Sequence, residues 1–251
     1  SPHDGIGRVL MSDSKVPFIL GSASPRRREL LARLVPADAI EVSPVDLDEA
    51  TLVAGWLSQH PGSRLGLSSI WAARIARDLA EAKMAALVES RSQAQSAIQA
   101  TEQRTPSGAK VLVTADTIVV LGDQILGKPA DAAEARRMLQ NLSGREHTVL
   151  TGLCIRVEGH GTAQQFSAAE QTQVTFADLA PAQIDWYIQT GEPFDKAGAY
   201  GIQGYGSVLV KSIHGCYYNV VGLPIHRLLV LLEQARTALD FNSESFHLLP
   251  W

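Results

Sequence analysis

The run VLVTADTIVV, residues 111–120, constrains the chain more than any other stretch. Val111, Val113, Ala115 and Val119 would face one side of a β-strand, and Leu112, Thr114, Ile118 and Val120 the other. The segment is therefore apolar on both faces, the pattern of a strand inside a sheet. Asp116 interrupts it. An ionised carboxylate taken from water costs several kcal/mol unless a cation or hydrogen-bond donors compensate, so positive charge is expected beside Asp116. The alternative is a bulge or strand end at which the carboxylate reaches solvent.

At 251 residues and 45% apolar composition the chain can bury one sizeable core. A formal charge of -4 and a pI near 6.0 give no support for a broad polyanion-binding surface, so phosphate binding should depend on a few placed Arg and Lys side chains and nucleic acid is not an expected partner. Cys154 and Cys216 lack metal-site spacing and read as reduced thiols of a soluble, cytoplasmic protein. No apolar run reaches the roughly 18 residues that span a bilayer, and the polar start lacks a secretory core, so no membrane association is expected. Residues 1–15 are expected to be a disordered or appended tail, residues 16–238 a single large domain or two lobes sharing a sheet, and residues 239–251 a C-terminal tail.

A short strand over residues 16–20 should turn through Gly21-Ser22-Ala23-Ser24-Pro25 into a helix, with Ser24 as N-cap, Pro25 in the first turn and Leu30, Leu31 and Leu34 toward the core. Arg26 and Arg27 then lie in a first helical turn, where the dipole disfavours cations. Either they hold an anion, with free backbone N–H groups and bidentate guanidinium groups making a phosphate site, or they form a solvated basic face; the strand-turn-helix context favours phosphate. A strand near residues 39–43 leads into Pro44-Val45-Asp46-Leu47-Asp48-Glu49, an acidic loop that either binds a hard divalent cation or is simply solvated.

Helical spacing over residues 67–88 carries Lys83, and residues 89–110 read as a frayed helix followed by a mobile connector. Pro129 makes Lys128 extended, and Asp131 and Glu134 form a capping box for a helix that closes at Gly144. Two antiparallel strands over residues 147–157 and 165–176 and a helix over residues 181–189 follow, with His147 and His160 as strand-end and turn residues. Residues 191–206, GEPFDKAGAYGIQGYG, allow close backbone approach to a ligand, and the interleaved polar residues favour a binding loop over a flexible surface loop. A strand over residues 207–213 and a helix over residues 224–235 complete the pattern.

In this order, SASPRRRELL (22–31), ADTIVV (115–120), GKPAD (127–131), LSGREHTVLTG (142–152), EPFDKAGAYGIQG (192–204) and GCYYNVVGLP (215–224) resemble the Maf family of nucleoside triphosphate pyrophosphatases. The resemblance implies an α/β fold related to the inosine triphosphate pyrophosphatases, in which helices around an elongated mixed β-sheet form two lobes with a central cleft. It implies Asp116 as the general base for water attack between the α and β phosphates of a nucleoside triphosphate, giving the monophosphate and pyrophosphate. It implies substrate contacts from Ser24, Arg26, Arg27, Lys83, Thr117, Lys128 and Gln203, a divalent cation (Mg, Mn or Co) on Glu49 and Asp116, and a homodimer. The DKAGAYGIQG loop resembles the subgroup acting on dTTP and UTP, with Arg26, Thr117 and Gln203 at its specificity positions; modified pyrimidine nucleotides fit the same reading. A glutamine amide both donates and accepts, which suits a uracil or thymine edge. The rival is a nucleotide-binding regulator of cell division without turnover. Extra length near residues 50–66 and 89–110 departs from the compact pattern of the family.

Overall fold

β3, Lys110–Leu121, is the axis of the computed structural model, which describes residues 16–61, 69–99, 108–159 and 161–238, leaving out the side chains of 69, 95–99 and 238. From Val111 to Leu121 every residue of β3 is buried except the half-buried Thr117. The strand pairs without a bulge along β5, Glu146–Gly159, with Asp116 opposite Gly152. β6, Thr162–Phe176, and β7, Val210–His214, extend the sheet on that side. On the other side β1, Phe18–Leu20, is parallel to both β3 and β2, Ile40–Val42, and the order is β2-β1-β3-β5-β6-β7. The sheet is therefore mixed, as expected.

The β1 side of β3 is not paired along its whole length. β1 pairs with Val111, Leu112 and Val113, while β4, Gln124–Leu126, turns back antiparallel onto Val119, Val120 and Leu121. Between them the edge of β3 from Thr114 to Ile118 is open, and the chain leaving β1 turns away at Gly21, whose N–H still reaches the Val113 carbonyl at 2.9 Å. A ligand can approach a buried strand there, at the carboxyl end of β1, where crevices form in α/β sheets.

Both faces of the sheet divide at the same place. On the face carrying Val111, Val113 and Ala115, one core packs Leu30 and Leu31 of α1, Pro25–Leu31, with Leu228, Leu231 and Leu232 of α7, Ile225–Ala238. Beyond Thr117 a second core packs Val119 and Leu121 against Met138 and Leu139 of α4, Ala132–Leu142, and Ile184 and Tyr187 of α5, Pro181–Gln189. On the opposite face α3, Ser69–Gln99, covers Leu112 with Ala80, Met84 and Leu87, and Ile118 with Ala72, Ile75 and Leu79. Asp116 lies between those two clusters. It is 3% exposed.

α3 sits tightly on the sheet. A Cβ on Gly152 would fall 1.9 Å from the Ala76 carbonyl oxygen, so the position opposite Asp116 admits only glycine, and Thr114 Oγ1 donates to the Ala80 carbonyl at 2.7 Å. These contacts set the height and rotation of the helix turn that carries Lys83.

Several boundaries differ from expectation. α3 continues as helix to Gln99, within the stretch read as helix before a connector, and residues 100–107, the tails at 1–15 and 239–251, and His160 lie outside the described residues. Glu49 does not belong to a loop: it opens α2, Glu49–Gln59, capped by Asp48, whose Oδ1 accepts from Thr51 N at 3.0 Å. The extra length after Glu49 therefore begins as a helix, which has no fully buried residue but rests Val53, Trp56 and Leu57 on the α3 side. Gly144 lies one residue past the Ser143 cap, with φ of 66°. A short helix α6, Tyr217–Val221, follows β7; the apolar pattern did not announce it.

Gly152→Ala is expected to destabilise the fold by about 3 kcal/mol, because the methyl meets helix backbone that cannot rotate aside. Thermal denaturation checks this; a variant melting with its parent contradicts the stated packing of α3 on β5.

Candidate active site

The turn between β1 and α1 places one guanidinium with little freedom. Ser24 caps α1, accepting from Arg27 N at 3.4 Å, and Arg27 follows in the first turn. Its side chain reaches back across the sheet: Nε donates to the Gly222 carbonyl at 2.8 Å, Nη1 to Ser22 Oγ at 3.3 Å and Nη2 to Thr117 Oγ1 at 3.0 Å. Burial pulls the Arg27 pKa below its ordinary value, while Asp116 and Glu49 oppose that shift. This is not a solvated basic face. Arg26 is half-buried and lines the cleft, whereas Arg28 is exposed and lies outside the lining.

Behind Arg27 runs a buried polar seam. Thr117 Oγ1 meets Thr151 Oγ1 at 2.9 Å, Thr151 Oγ1 donates to the Asn219 carbonyl at 3.0 Å, and the Asn219 amide donates to Val149 O and Thr172 Oγ1, both at 3.0 Å. Thr151, Thr172 and Asn219 are fully buried, so the seam ties α6 to β5 and β6 and holds the Gly222 carbonyl in place for Arg27.

On the other face of β3, Lys83 Nζ stands 2.5 Å from Asp116 Oδ1 and 2.8 Å from Glu49 Oε1. The lysine, 7% exposed, joins a carboxylate of the sheet to one at the start of α2. The cation anticipated beside Asp116 is thus Lys83. Burial raises the Asp116 pKa above its ordinary value and Glu49 adds to the rise, with Lys83 and then Arg27 acting against it. For Glu49 burial acts upward as well, but the charge and hydrogen bond of Lys83, assisted by Lys128 and Arg27, bring its pKa below the ordinary value. Asp116 Oδ2 is buried and has no hydrogen-bond partner among the described residues.

These groups open into a cleft of about 1170 Å³ lined by residues 21–27, the segment from Pro44 to Asp48, α2, Lys83, Asp116, Thr117, Lys128 and the loop around Gln203. Lys128 is exposed on its rim, next to Gly127, whose carbonyl accepts from Gly198 N at 3.0 Å and so joins that rim to the glycine-rich loop. The loop is built of short 3-10 turns, Glu192–Asp195, Ala197–Ala199 and Gly204–Leu209, and presents the half-buried Gln203 to the cleft. Lys196 Nζ is held by the Glu192 carbonyl at 2.8 Å and Asp195 Oδ1 at 2.7 Å.

Every residue singled out from the sequence, Ser24, Arg26, Arg27, Glu49, Lys83, Asp116, Thr117, Lys128 and Gln203, lines this one cleft. Thr117 differs in detail from a free specificity residue, since its hydroxyl is engaged by Arg27 and Thr151. Sequence reasoning missed the Gly222 carbonyl, Asn219 and α2. A carbonyl has no side-chain signal, and only the motif around Asn219 could have flagged it. His147 behaves as a structural residue: it is buried, its ring meets Tyr200 Oη at 2.7 Å, and burial lowers its pKa to about 4.

The Maf-like protein family profile matches residues 17–235. A dTTP/UTP pyrophosphatase of Anaeromyxobacter dehalogenans (strain 2CP-C) is 42% identical over 218 residues, covering 87% of this chain and 93% of the relative. The protein of that name from Symbiobacterium thermophilum is 43% identical over 217 residues, covering 86% and 93%, and that of Pyrococcus abyssi is 40% identical over 216 residues, covering 86% and 95%. With the match spanning the sheet, the cleft and every residue that lines it, the chain belongs to the Maf-like protein family.

Proposed function

We propose that this protein hydrolyses dTTP and UTP between the α and β phosphates, releasing the nucleoside monophosphate and pyrophosphate. One observation carries the reading: a buried carboxylate, Asp116, faces a cation-lined cleft with Oδ1 held by Lys83 and Oδ2 unpartnered among the described residues. Relatives spanning most of the chain and named dTTP/UTP pyrophosphatase support the substrate.

The division of work follows from the chemistry of each group. The Asp116 carboxylate takes a proton from, or orients, the attacking water; the water oxygen bonds to the α phosphorus as the bridge to the β phosphate breaks and pyrophosphate departs with the bond electrons. Arg27, fixed before substrate arrives, and Arg26, Lys83 and Lys128 neutralise charge on the triphosphate, with Ser24 and the N-terminus of α1 beside them. Gln203 pairs its amide with the adjacent N–H and carbonyl of a pyrimidine edge.

Glu49 and Asp116 would hold a divalent cation, Mg²⁺, Mn²⁺ or Co²⁺. No group of three or more His, Cys, Asp or Glu suited to a metal occurs among the described residues. Two carboxylates completed by phosphate oxygens and water are nonetheless a usual Mg²⁺ environment, and the orphaned Asp116 Oδ2 is a fitting oxygen. When bound, such a cation would supply further charge neutralisation on the phosphates. We further propose a cytoplasmic homodimer. Two free cysteines support a reducing compartment, and among the described residues no helix is long and apolar enough to cross a membrane.

Asp116→Asn keeps an oxygen for Lys83 but places an amide where a proton must be accepted. Turnover of UTP should fall by roughly 10²–10⁴-fold while a non-hydrolysable triphosphate still binds; calorimetry beside a pyrophosphate-release assay checks both, and turnover within tenfold of the parent removes Asp116 as base. Chelation should abolish pyrophosphate release and added Mg²⁺, Mn²⁺ or Co²⁺ should restore it, whereas full activity in excess chelator contradicts the metal. No release from any nucleotide would leave only the nucleotide-binding regulator.

A further inference from the structure

The loop that presents Gln203 is held from behind by one carboxylate. Glu192 Oε1 accepts from the Tyr187 hydroxyl at 2.9 Å and from Gly206 N at 3.0 Å, and Oε2 accepts from Tyr205 N at 2.9 Å. Tyr187, buried in α5, uses the same hydroxyl oxygen to accept from Gly201 N at 3.1 Å. The backbone before Gln203 is therefore tied through Tyr187, and the backbone after it through Glu192.

The fit has no slack. A Cβ on Gly204, where φ is 61°, would lie 2.6 Å from Glu192 Oε2, and one on Gly206 would lie 2.0 Å from the Gly201 carbonyl oxygen and 2.8 Å from the Tyr187 hydroxyl. Two of the loop's glycines thus let the chain wrap onto this carboxylate and hydroxyl. The arrangement also tolerates no amide in place of the acid. Whichever way a glutamine at this position turned, its NH₂ would face the N–H of Tyr205 or of Gly206, and a backbone donor cannot rotate away.

We propose that Glu192 is a positioning residue for base selection: by fixing the 201–206 backbone it holds Gln203 where its amide separates pyrimidine from purine nucleoside triphosphates. The inference rests on the reading of Gln203 given under Proposed function. Hydrogen-bonded selection requires the donor and acceptor to be held within about 0.5 Å, and a glutamine side chain has too many rotamers to supply that precision from a mobile backbone.

The test is the ratio of kcat/KM for UTP to that for ATP in the parent, Glu192→Gln, Tyr187→Phe, Gln203→Ala and the Glu192→Gln/Gln203→Ala double variant, with inhibition by inorganic tripolyphosphate as a probe of the phosphate grip. Glu192→Gln and Gln203→Ala should each lower the ratio about tenfold, the loss of a well-placed hydrogen bond, and the double variant should be no lower than Gln203→Ala. Tripolyphosphate inhibition should stay within about twofold of the parent, because Arg27 and Lys83 do not depend on this loop. Tyr187→Phe, which keeps the ring and removes the hydroxyl, should shift the ratio in the same direction by less, and it decides the matter if Glu192→Gln does not fold. An unchanged ratio in both variants, a double variant equal to the product of the singles, or a uniform loss that includes tripolyphosphate would overturn the inference while leaving the activity intact. A parent that releases no pyrophosphate from UTP would overturn the activity itself, and this inference with it.

Discussion

The ion pair between Lys83 and Asp116 is the interaction on which the rest of the site depends. Neither charge would persist alone between the clusters of Leu112 and Ile118, since breaking a buried pair by removing one partner costs about 3–5 kcal/mol. The pair exists because α3 is pressed onto the sheet at Gly152 and hydrogen-bonded by Thr114, which brings the lysine over the acid. It is accessible because β1 ends at Leu20 and β4 begins pairing only at Val119, leaving that edge of β3 uncovered. A buried charge is usually a liability; here the gap in the sheet turns it toward a cleft.

The two faces of β3 divide the chemistry. Asp116, Lys83 and Glu49 meet on the α3 face, while Thr117, Arg27 and the seam to Asn219 lie on the other, and the open strand edge lets both sets reach one ligand. Arg27 is held by three fixed acceptors and is preorganised, so little reorganisation is needed when phosphate arrives. Lys128 is an exposed side chain on the rim and must find its partner. Glu49 opens α2, whose residues form one wall of the cleft, so the carboxylate nearest Lys83 after Asp116 rides on the least buried helix that touches the site.

What could be read in advance was whatever leaves a side-chain signature. An acid in a doubly apolar strand demanded a cation, which Lys83 supplies, and arginines in the first turn of a capped helix conflicted with the dipole, which directed attention to the cleft that Arg26 and Arg27 line. Half of the capping box of Asp131 and Glu134 forms as expected, with Glu134 N donating to Asp131 Oδ1 at 2.8 Å, whereas the Glu134 carboxylate accepts from Ala130 N at 2.7 Å and not from the N–H of the cap residue. What stayed hidden depends on tertiary contacts. Nothing in the local pattern says that Lys83 faces Asp116, since many helical lysines are solvated. α2 has a weak apolar stripe and α6 is only five residues long, so neither has a period strong enough to announce itself. The loop at 191–206 was legible as glycine-rich, but its rigidity comes from Glu192 and Tyr187, which are recognisable only once the chain has folded back on itself.

The ionisation of Asp116 tests this account most directly. Carbon-13 NMR of labelled aspartate carboxyls, with the Asp116 resonance assigned by its loss in an Asp116→Asn sample, can follow that one group through a pH titration. The account predicts a midpoint above the ordinary 3.8 and a further upward displacement in Lys83→Met, where burial is no longer opposed by its strongest partner. A midpoint at the ordinary value that does not move when Lys83 is lost would contradict it.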